Sequence, residues 1–413
     1  MTLKVLLASA EGEDFFHLLD DVDGIEISRC ANKDVTRHAA DIDILFGHPA
    51  VDLLSAAPKL KWIQSSSAGV EFVAGIPELV ASDIILTNTR GAHGPSIGEH
   101  AMALLLAMTR HIPESIEQQK RKHWERGTFY RTAREVNGLT MGIVGFGAIG
   151  RGIAQRALAF DMNVLAVDAF AVEGTPMIEE VWPISRLDHL MTVSDVIVVA
   201  APLTPETRHL IDADQLARMK PDAYLIVVSR GGIVDEAALV ETLNSGKLAG
   251  VALDVVEQEP LPAESPLWDC PRFILTPHLA GASAPKERRV VEIFRENLVR
   301  YQNGDPLLNV VDKAGGSDRA PVNSSGPSLR FVAPLVPETG AIRVVRFVRI
   351  ARPLIDPGFR ARRVPAMSVN SPPPGPAEPA RLVSRTIGGT ILAQATFLAS
   401  PRRFSTPLAA MGL

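Results

Sequence analysis

Three side chains suited to polar chemistry follow apolar, strand-like runs in the second half of the chain. Arg230 comes after 224–228, Glu259 after 250–254 and His278 after 273–276. A guanidinium holds a carboxylate in a fixed plane through its fork of donors. An imidazole beside a carboxylate gives and takes a proton near neutral pH. Singly, each residue has an ordinary reading: a surface charge, a loop residue before a proline, a packed ring. As a set beyond the carboxyl ends of strands, they fall on the side where open α/β sheets bind ligands.

A second motif supplies a place for a cofactor. Gly145-Phe-Gly-Ala-Ile-Gly150 follows the apolar run 141–144 and opens a helical pattern, the context a dinucleotide fingerprint requires. Gly145 permits the tight turn, Gly147 lets a pyrophosphate approach the backbone, and Gly150 allows close helix–strand packing. The N–H groups of Ala148, Ile149 and Gly150, with the helix dipole, then face the phosphates. Asp168 ends the next strand, 18 residues beyond Gly150. A carboxylate there accepts from ribose hydroxyls and repels a 2′-phosphate. No Arg or Lys follows it through Met177, so NAD is expected over NADP.

The elements that must position these groups alternate between strand and helix, the pattern of α/β folds with parallel sheets. Five short strands are predicted at 4–8, 25–30, 42–47, 62–65 and 84–88, then a helical stretch over 96–124 interrupted at Pro113. Six more follow at 141–144, 164–167, 196–200, 224–228, 250–254 and 273–276, matching the Rossmann count. Helices are predicted over 150–160, 213–219 and 236–245, the last closed by Gly246. A helix over 285–302 is expected to return to the first set of strands. The fold class is therefore α/β, with two doubly wound parallel-sheet domains. A flavodoxin-like domain, discontinuous over 1–94 and 284–313, is expected to accompany a Rossmann dinucleotide-binding domain over 95–283.

Composition sharpens the boundaries. The 413 residues carry 42 basic and 47 acidic side chains for a net −5. That average hides an acidic body, 1–313, with 29 basic and 43 acidic residues, and a tail, 314–413, with 13 Arg, no Lys, 14 Pro and four acids. An acidic body without a basic stripe argues against nucleic acid as a partner. Its apolar runs fall short of the roughly 20 residues that span a bilayer, and the N-terminus reads as a strand rather than a signal peptide. With only Cys30 and Cys270, both read as inert thiols in a reducing compartment, a cytoplasmic location is expected. The Arg/Pro-rich tail is expected to be disordered, or an extension read out of frame or past a lost stop codon.

Taken in order, these motifs resemble the D-isomer-specific 2-hydroxyacid dehydrogenases over 1–313. The resemblance rests on Gly145–Gly150 with Asp168, Pro202-Leu-Thr-Pro-Glu-Thr207, Ser229-Arg-Gly-Gly-Ile-Val-Asp235, Asp254 leading to Glu259-Pro-Leu-Pro262, and Thr276-Pro-His-Leu-Ala-Gly281. It implies an NAD-dependent oxidoreductase that interconverts small 2-oxoacids and D-2-hydroxyacids, glyoxylate or hydroxypyruvate among them. Arg230 would bind the substrate carboxylate and polarise the carbonyl, His278 would be the acid/base, and Glu259 would orient His278. Asp254 is expected at the nicotinamide carboxamide, with Thr207 and Ser229 near the cofactor. The loop Ala68-Gly69-Val70 matches the family's substrate-carboxylate loop, with the Gly69 and Val70 N–H groups as donors. One position departs from the pattern: Val227 stands where the family usually has Asn. The resemblance also implies a homodimer formed through 96–124. The alternative class is an NAD(H)-sensing, corepressor-like binding protein on the same scaffold.

Overall fold

Short apolar runs rich in Val, Ile and Leu, buried on both faces, build two parallel sheets. The computed structural model describes residues 2–313, apart from Met177 and Glu179, and the short strands Arg385–Ile387 and Thr390–Leu392. The first sheet has β1 (Leu3–Ala8), β2 (Ile25–Arg29), β3 (Ile44–Gly47), β4 (Trp62–Gln64) and β5 (Ile85–Thr87) in the order β2-β1-β3-β4-β5. Every pair is parallel, the flavodoxin-like order.

The second sheet has seven strands: β6 (Thr140–Val144), β7 (Asn163–Asp168), β8 (Trp182–Pro183), β9 (Val196–Val199), β10 (Tyr224–Val227), β11 (Gly250–Leu253) and β12 (Phe273–Leu275). Their order is β12-β11-β10-β9-β6-β7-β8. This corrects the expected count of six. The third Rossmann strand, β8, is two residues long and ends in proline, too short to leave a pattern. The run 273–276 is a seventh strand, added beside β11.

Among the described residues, five helices have nine or more residues: α1 (Gly94–Thr109), α2 (Ile112–Lys120), α3 (Ala148–Ala159), α4 (Glu236–Asn244) and α5 (Ala284–Asn303). Pro113 lies in the first turn of α2, where its missing N–H costs nothing, so the break between α1 and α2 falls just before it. Helix α1 is buried within its own chain through Ile97, Ala101, Met102 and Leu105, in one core with Ile153 and Ala157 of α3. The apolar side chains left exposed come later, at Ile112, Ile116, Trp124 and Tyr130.

Helix α5 returns to the first sheet as predicted. Val290, Val291, Phe294 and Leu298 share a core with Val5, Leu7, Phe46 and Trp62, each buried side chain contributing about 1.5–3 kcal/mol. Buried polar groups fix its register. Asn297 Nδ2 donates to Gln64 Oε1 (3.0 Å), Thr87 Oγ1 donates to the same oxygen (2.8 Å), and Trp62 Nε1 donates to Thr87 Oγ1 (2.8 Å). This network holds the end of β4, from which the loop 67–70 departs.

The readings made for 314–413 lie outside the described residues, except that Arg385–Ile387 and Thr390–Leu392 pair antiparallel. No helix of the described residues is long and apolar enough to cross a membrane.

Candidate active site

Three adjacent strands deliver the three candidate groups. The chain leaves β10 through Val228 and Ser229 to Arg230, whose Nη1 donates to Ser229 O at 2.7 Å. The next residue must lack a side chain, because a Cβ on Gly231 would lie 1.9 Å from Val256 O. The Arg230 turn therefore rests directly on the segment that leads from β11 to Glu259. Val227, the departure from the family pattern, is 2% exposed in the core of this sheet.

Asp254 directly follows β11 and fastens the loop after β12. Its Oδ1 accepts from Thr276 Oγ1 (2.5 Å) and Leu279 N (3.0 Å), its Oδ2 from Ala280 N (2.9 Å), and its carbonyl from His278 N (2.8 Å). Burial opposes its ionisation, but the bonds from His100, Thr276, Ala280 and Leu279 outweigh that and hold the carboxyl below the usual range. Asp254 thus acts first as the anchor of the His278 loop. Oδ2, with one donor recorded, keeps capacity for a further one.

His278 itself sits at φ 50°, in the left-handed region that a non-glycine residue occupies at some cost. Its Nδ1 lies 2.7 Å from Glu259 Oε2, and Val256 N donates to Glu259 Oε1 at 3.3 Å. The sequence-predicted pair is therefore formed. With Nδ1 on the carboxylate, Nε2 at the far end of the ring is left to meet a ligand.

A second pair lies on the same segment. His209 Nε2 lies 2.9 Å from Glu257 Oε1, His209 N donates to Gly232 O at 2.8 Å, and Glu257 N donates to Glu236 Oε1 at 2.6 Å. Burial, with the charge of Glu257, pushes the Glu236 carboxyl up. This latch ties the start of α4 to the segment carrying Glu259.

The dinucleotide fingerprint takes the geometry its sequence implied. Gly145 has φ 93°, and a Cβ there would lie 2.6 Å from Ala201 N. Helix α3 starts at Gly147 with no side-chain cap, leaving its first N–H groups, Ala148 and Ile149 among them, for an anion. Asp168 is 3% exposed; it accepts from Phe146 N (2.8 Å) and Phe170 N (3.0 Å), which fixes it at the end of β7. Ser229 Oγ is buried without a hydrogen-bond partner among the described residues. An uncapped helix start, a turn with no room for a side chain and an orphaned hydroxyl beside the Arg230 strand fit a dinucleotide.

Other expected groups are differently committed. The Thr207 hydroxyl donates to Pro202 O and accepts from Thr204 N, both at 2.7 Å, so its first role is within its own turn. In the loop after β4, Gly69 N donates to Ser67 Oγ (3.0 Å) and Ala68 O accepts from Asn88 Nδ2 (2.8 Å). Of the two expected carboxylate donors, Gly69 is thus engaged. The N–H groups of Val70 and Ala68 have no partner among the described residues.

Two histidines were not singled out by sequence. His100 on α1 reaches Thr276 Oγ1 (3.0 Å) and Asp254 Oδ1 (3.4 Å), supporting the His278 loop from the other side. His93 immediately precedes α1 and packs on Gly281. Their seven-residue spacing, two helical turns, is the one signal that places both on the same face. Burial pushes the thiols of Cys30 and Cys270 up, so neither is an activated nucleophile.

Residues 102–280 match the family model described as D-isomer specific 2-hydroxyacid dehydrogenase, NAD binding domain. The chain is 37% identical over 267 residues to a glyoxylate reductase of Thermofilum pendens, covering 63% of this chain and 78% of that protein. It is 32% identical over 315 residues to a D-3-phosphoglycerate dehydrogenase of Methanocaldococcus jannaschii, covering 75% of this chain but 59% of that one. Among solved structures, a D-isomer specific 2-hydroxyacid dehydrogenase family protein from Aeromonas salmonicida superposes with a TM-score of 0.67 at 35% identity, over 76% of this chain and all of that one. Similar structures hold both cofactors. An NAD-dependent formate dehydrogenase from Staphylococcus aureus is in complex with NAD (29% identity, TM-score 0.58, 75% of this chain and 99% of that one). A glyoxylate/hydroxypyruvate reductase from Sinorhizobium meliloti is in complex with NADP (29%, 0.65, 76% and 100%). The chain belongs to the D-isomer specific 2-hydroxyacid dehydrogenase family.

Proposed function

We propose that this enzyme reduces small 2-oxoacids of the glyoxylate and hydroxypyruvate kind to D-2-hydroxyacids, with NADH preferred over NADPH. The observation that carries the reading is the 2.7 Å His278–Glu259 pair, which leaves Nε2 as the proton donor. Arg230 binds the substrate carboxylate and draws charge toward the carbonyl oxygen, with Val70 N–H, and Gly69 N–H if it turns from Ser67, as further donors. A bound nicotinamide dinucleotide supplies the hydride in reduction and accepts it in oxidation. His278 protonates the carbonyl oxygen as the alcohol forms and takes the proton back in the reverse direction. Glu259 keeps the ring oriented and stabilises its imidazolium form. In this reading 1–94 and 284–313 form the substrate domain and 95–283 the cofactor domain. Asp254 meets the nicotinamide carboxamide through Oδ2, and Thr207 and Ser229 line the cofactor.

NADH preference is carried by Asp168, whose carboxylate would repel a 2′-phosphate. Arg151, in the first turn of the fingerprint helix, donates to Gly174 O at 3.2 Å. The kcat/KM ratio for NADH over NADPH should fall at least tenfold in Asp168→Ala. A homodimer would use the exposed side chains after α1, Trp124 at 92% and Tyr130 at 74% exposure; light scattering of Trp124→Glu, reporting a monomer, is the check. The relatives named above are enzymes, which favours this reading over a corepressor-like binding protein.

The function is tested by following NADH consumption by the full chain with a panel of 2-oxoacids. Turnover of glyoxylate or hydroxypyruvate is expected, and no turnover of any member would overturn the proposal.

A further inference from the structure

His93 stands in the connection from the first sheet to the second, as the residue before α1. Its ring is fixed against the loop that carries His278. A Cβ on Gly281 would come 3.1 Å from His93 Cδ2, and Ser96 Oγ, in the first turn of α1, donates to Gly281 O at 3.3 Å. Nδ1 is enclosed and has no hydrogen-bond partner, and the described residues offer none to Nε2 either. An enclosed lone pair is tolerated more readily than an enclosed N–H, which assigns the ring proton to Nε2. Burial, followed by the positive charges of Lys286, Arg230 and Arg289, disfavours a second proton against the opposing pull of Glu11. The ring is therefore an uncharged N–H donor within the field of Arg230.

We propose that His93 is a specificity-determining residue whose Nε2–H donates to an oxygen on C3 of the substrate. The enzyme then prefers 2-oxoacids that carry a C3 hydroxyl over those that lack one. This rests on the reading of the chain as a 2-oxoacid reductase. In that reading the carboxylate falls to Arg230 and the 67–70 loop, and the keto oxygen to Arg230 and His278. His93, a neutral donor packed against the loop that carries His278, matches the remaining polar group, the substituent. A hydroxyl suits it because an uncharged donor does not attract a second anionic group as a cation would.

The test is the ratio of kcat/KM for hydroxypyruvate to that for glyoxylate, measured on one preparation each of the full-length wild type, His93→Gln, His93→Asn and His93→Leu. Because both constants come from one preparation, loss of folded enzyme cancels in the ratio. Gln places an N–H near the position of Nε2, Asn reaches only toward Nδ1, and Leu has no donor. The ratio should fall about tenfold or more in His93→Leu and His93→Asn and stay within about threefold of wild type in His93→Gln, the size of one lost hydrogen bond to a neutral group. An unchanged ratio in all three variants, or an equal fall in all three, would overturn the role of His93 and leave the reductase reading standing. A wild type that turns over neither of these nor any other 2-oxoacid of the panel would overturn both, and turnover of other 2-oxoacids alone would overturn the role of His93.

Discussion

Two histidine–glutamate pairs flank the Arg230 turn, and they differ in which end of the imidazole is engaged. His278 meets Glu259 through Nδ1 at 2.7 Å, and His209 meets Glu257 through Nε2 at 2.9 Å. Both histidines lie in the left-handed region, at φ 50° and 51°, and both pairs are partly exposed. Distance, strain and exposure therefore do not separate them. The engaged atom does. With Nδ1 bound, His278 projects Nε2 away from its own backbone, on a part-exposed side chain that a ligand can reach. With Nε2 bound, His209 retains only the nitrogen beside its own main chain. The first arrangement can exchange a proton with a substrate, and the second holds a segment in place.

The sharpest way to break this contrast is to remove each imidazole in turn. His278→Asn should lower kcat about a thousandfold, within the range for loss of an acid/base group, whereas His209→Asn should stay within about threefold. Steady-state kcat for the two variants is the measurement. Next in size are the carboxylates. Glu259→Gln keeps the volume but removes the charge that stabilises the imidazolium, and kcat should fall about 30–100-fold. Glu257→Gln should change it by less than about threefold.

Much of this contrast was legible in the sequence, but only along the chain. All five strands of the first sheet, the returning α5, the fingerprint at Gly145–Gly150 and the Glu259–His278 pair follow from local pattern and motif order. What sequence missed depends on partners far along the chain. The two-residue β8 exists because Val167 and Asp168 of β7 offer it an edge. Asp254 carries more load than its motif suggests, because His100 reaches it from α1, more than 150 positions earlier. His93 becomes visible only when Gly281 is folded against it.

The anchors of the two pairs extend the comparison to stability. Asp254→Ala would leave the Thr276 hydroxyl and the Leu279 and Ala280 N–H groups without their buried acceptor, costing about 3 kcal/mol. Glu236→Ala, which frees one part-exposed N–H at Glu257, should cost no more than about 1 kcal/mol. Denaturant titration of the two variants is the check.

A smaller effect is expected from pH. Burial and the neighbouring cations push His93 down to about 4, from an ordinary value of 6.5. Between those values the unfolded chain binds a proton that the folded chain does not, so stability falls as the pH is lowered through that window. The loss should be about 1–3 kcal/mol and should shrink in His93→Gln. Asp254 acts lower on the scale. Its depressed carboxyl contributes stability above the unfolded carboxylate range that is lost as pH drops through its folded value. An equal pH dependence in wild type and His93→Gln would remove His93 from this account.

The most direct test of the central claim compares NADH consumption with glyoxylate and hydroxypyruvate by wild type, His278→Asn and His209→Asn under identical conditions. Turnover by wild type and His209→Asn, with a roughly thousandfold loss in His278→Asn, is the predicted result. Equal activity in the two variants, or turnover that survives loss of His278, would contradict it.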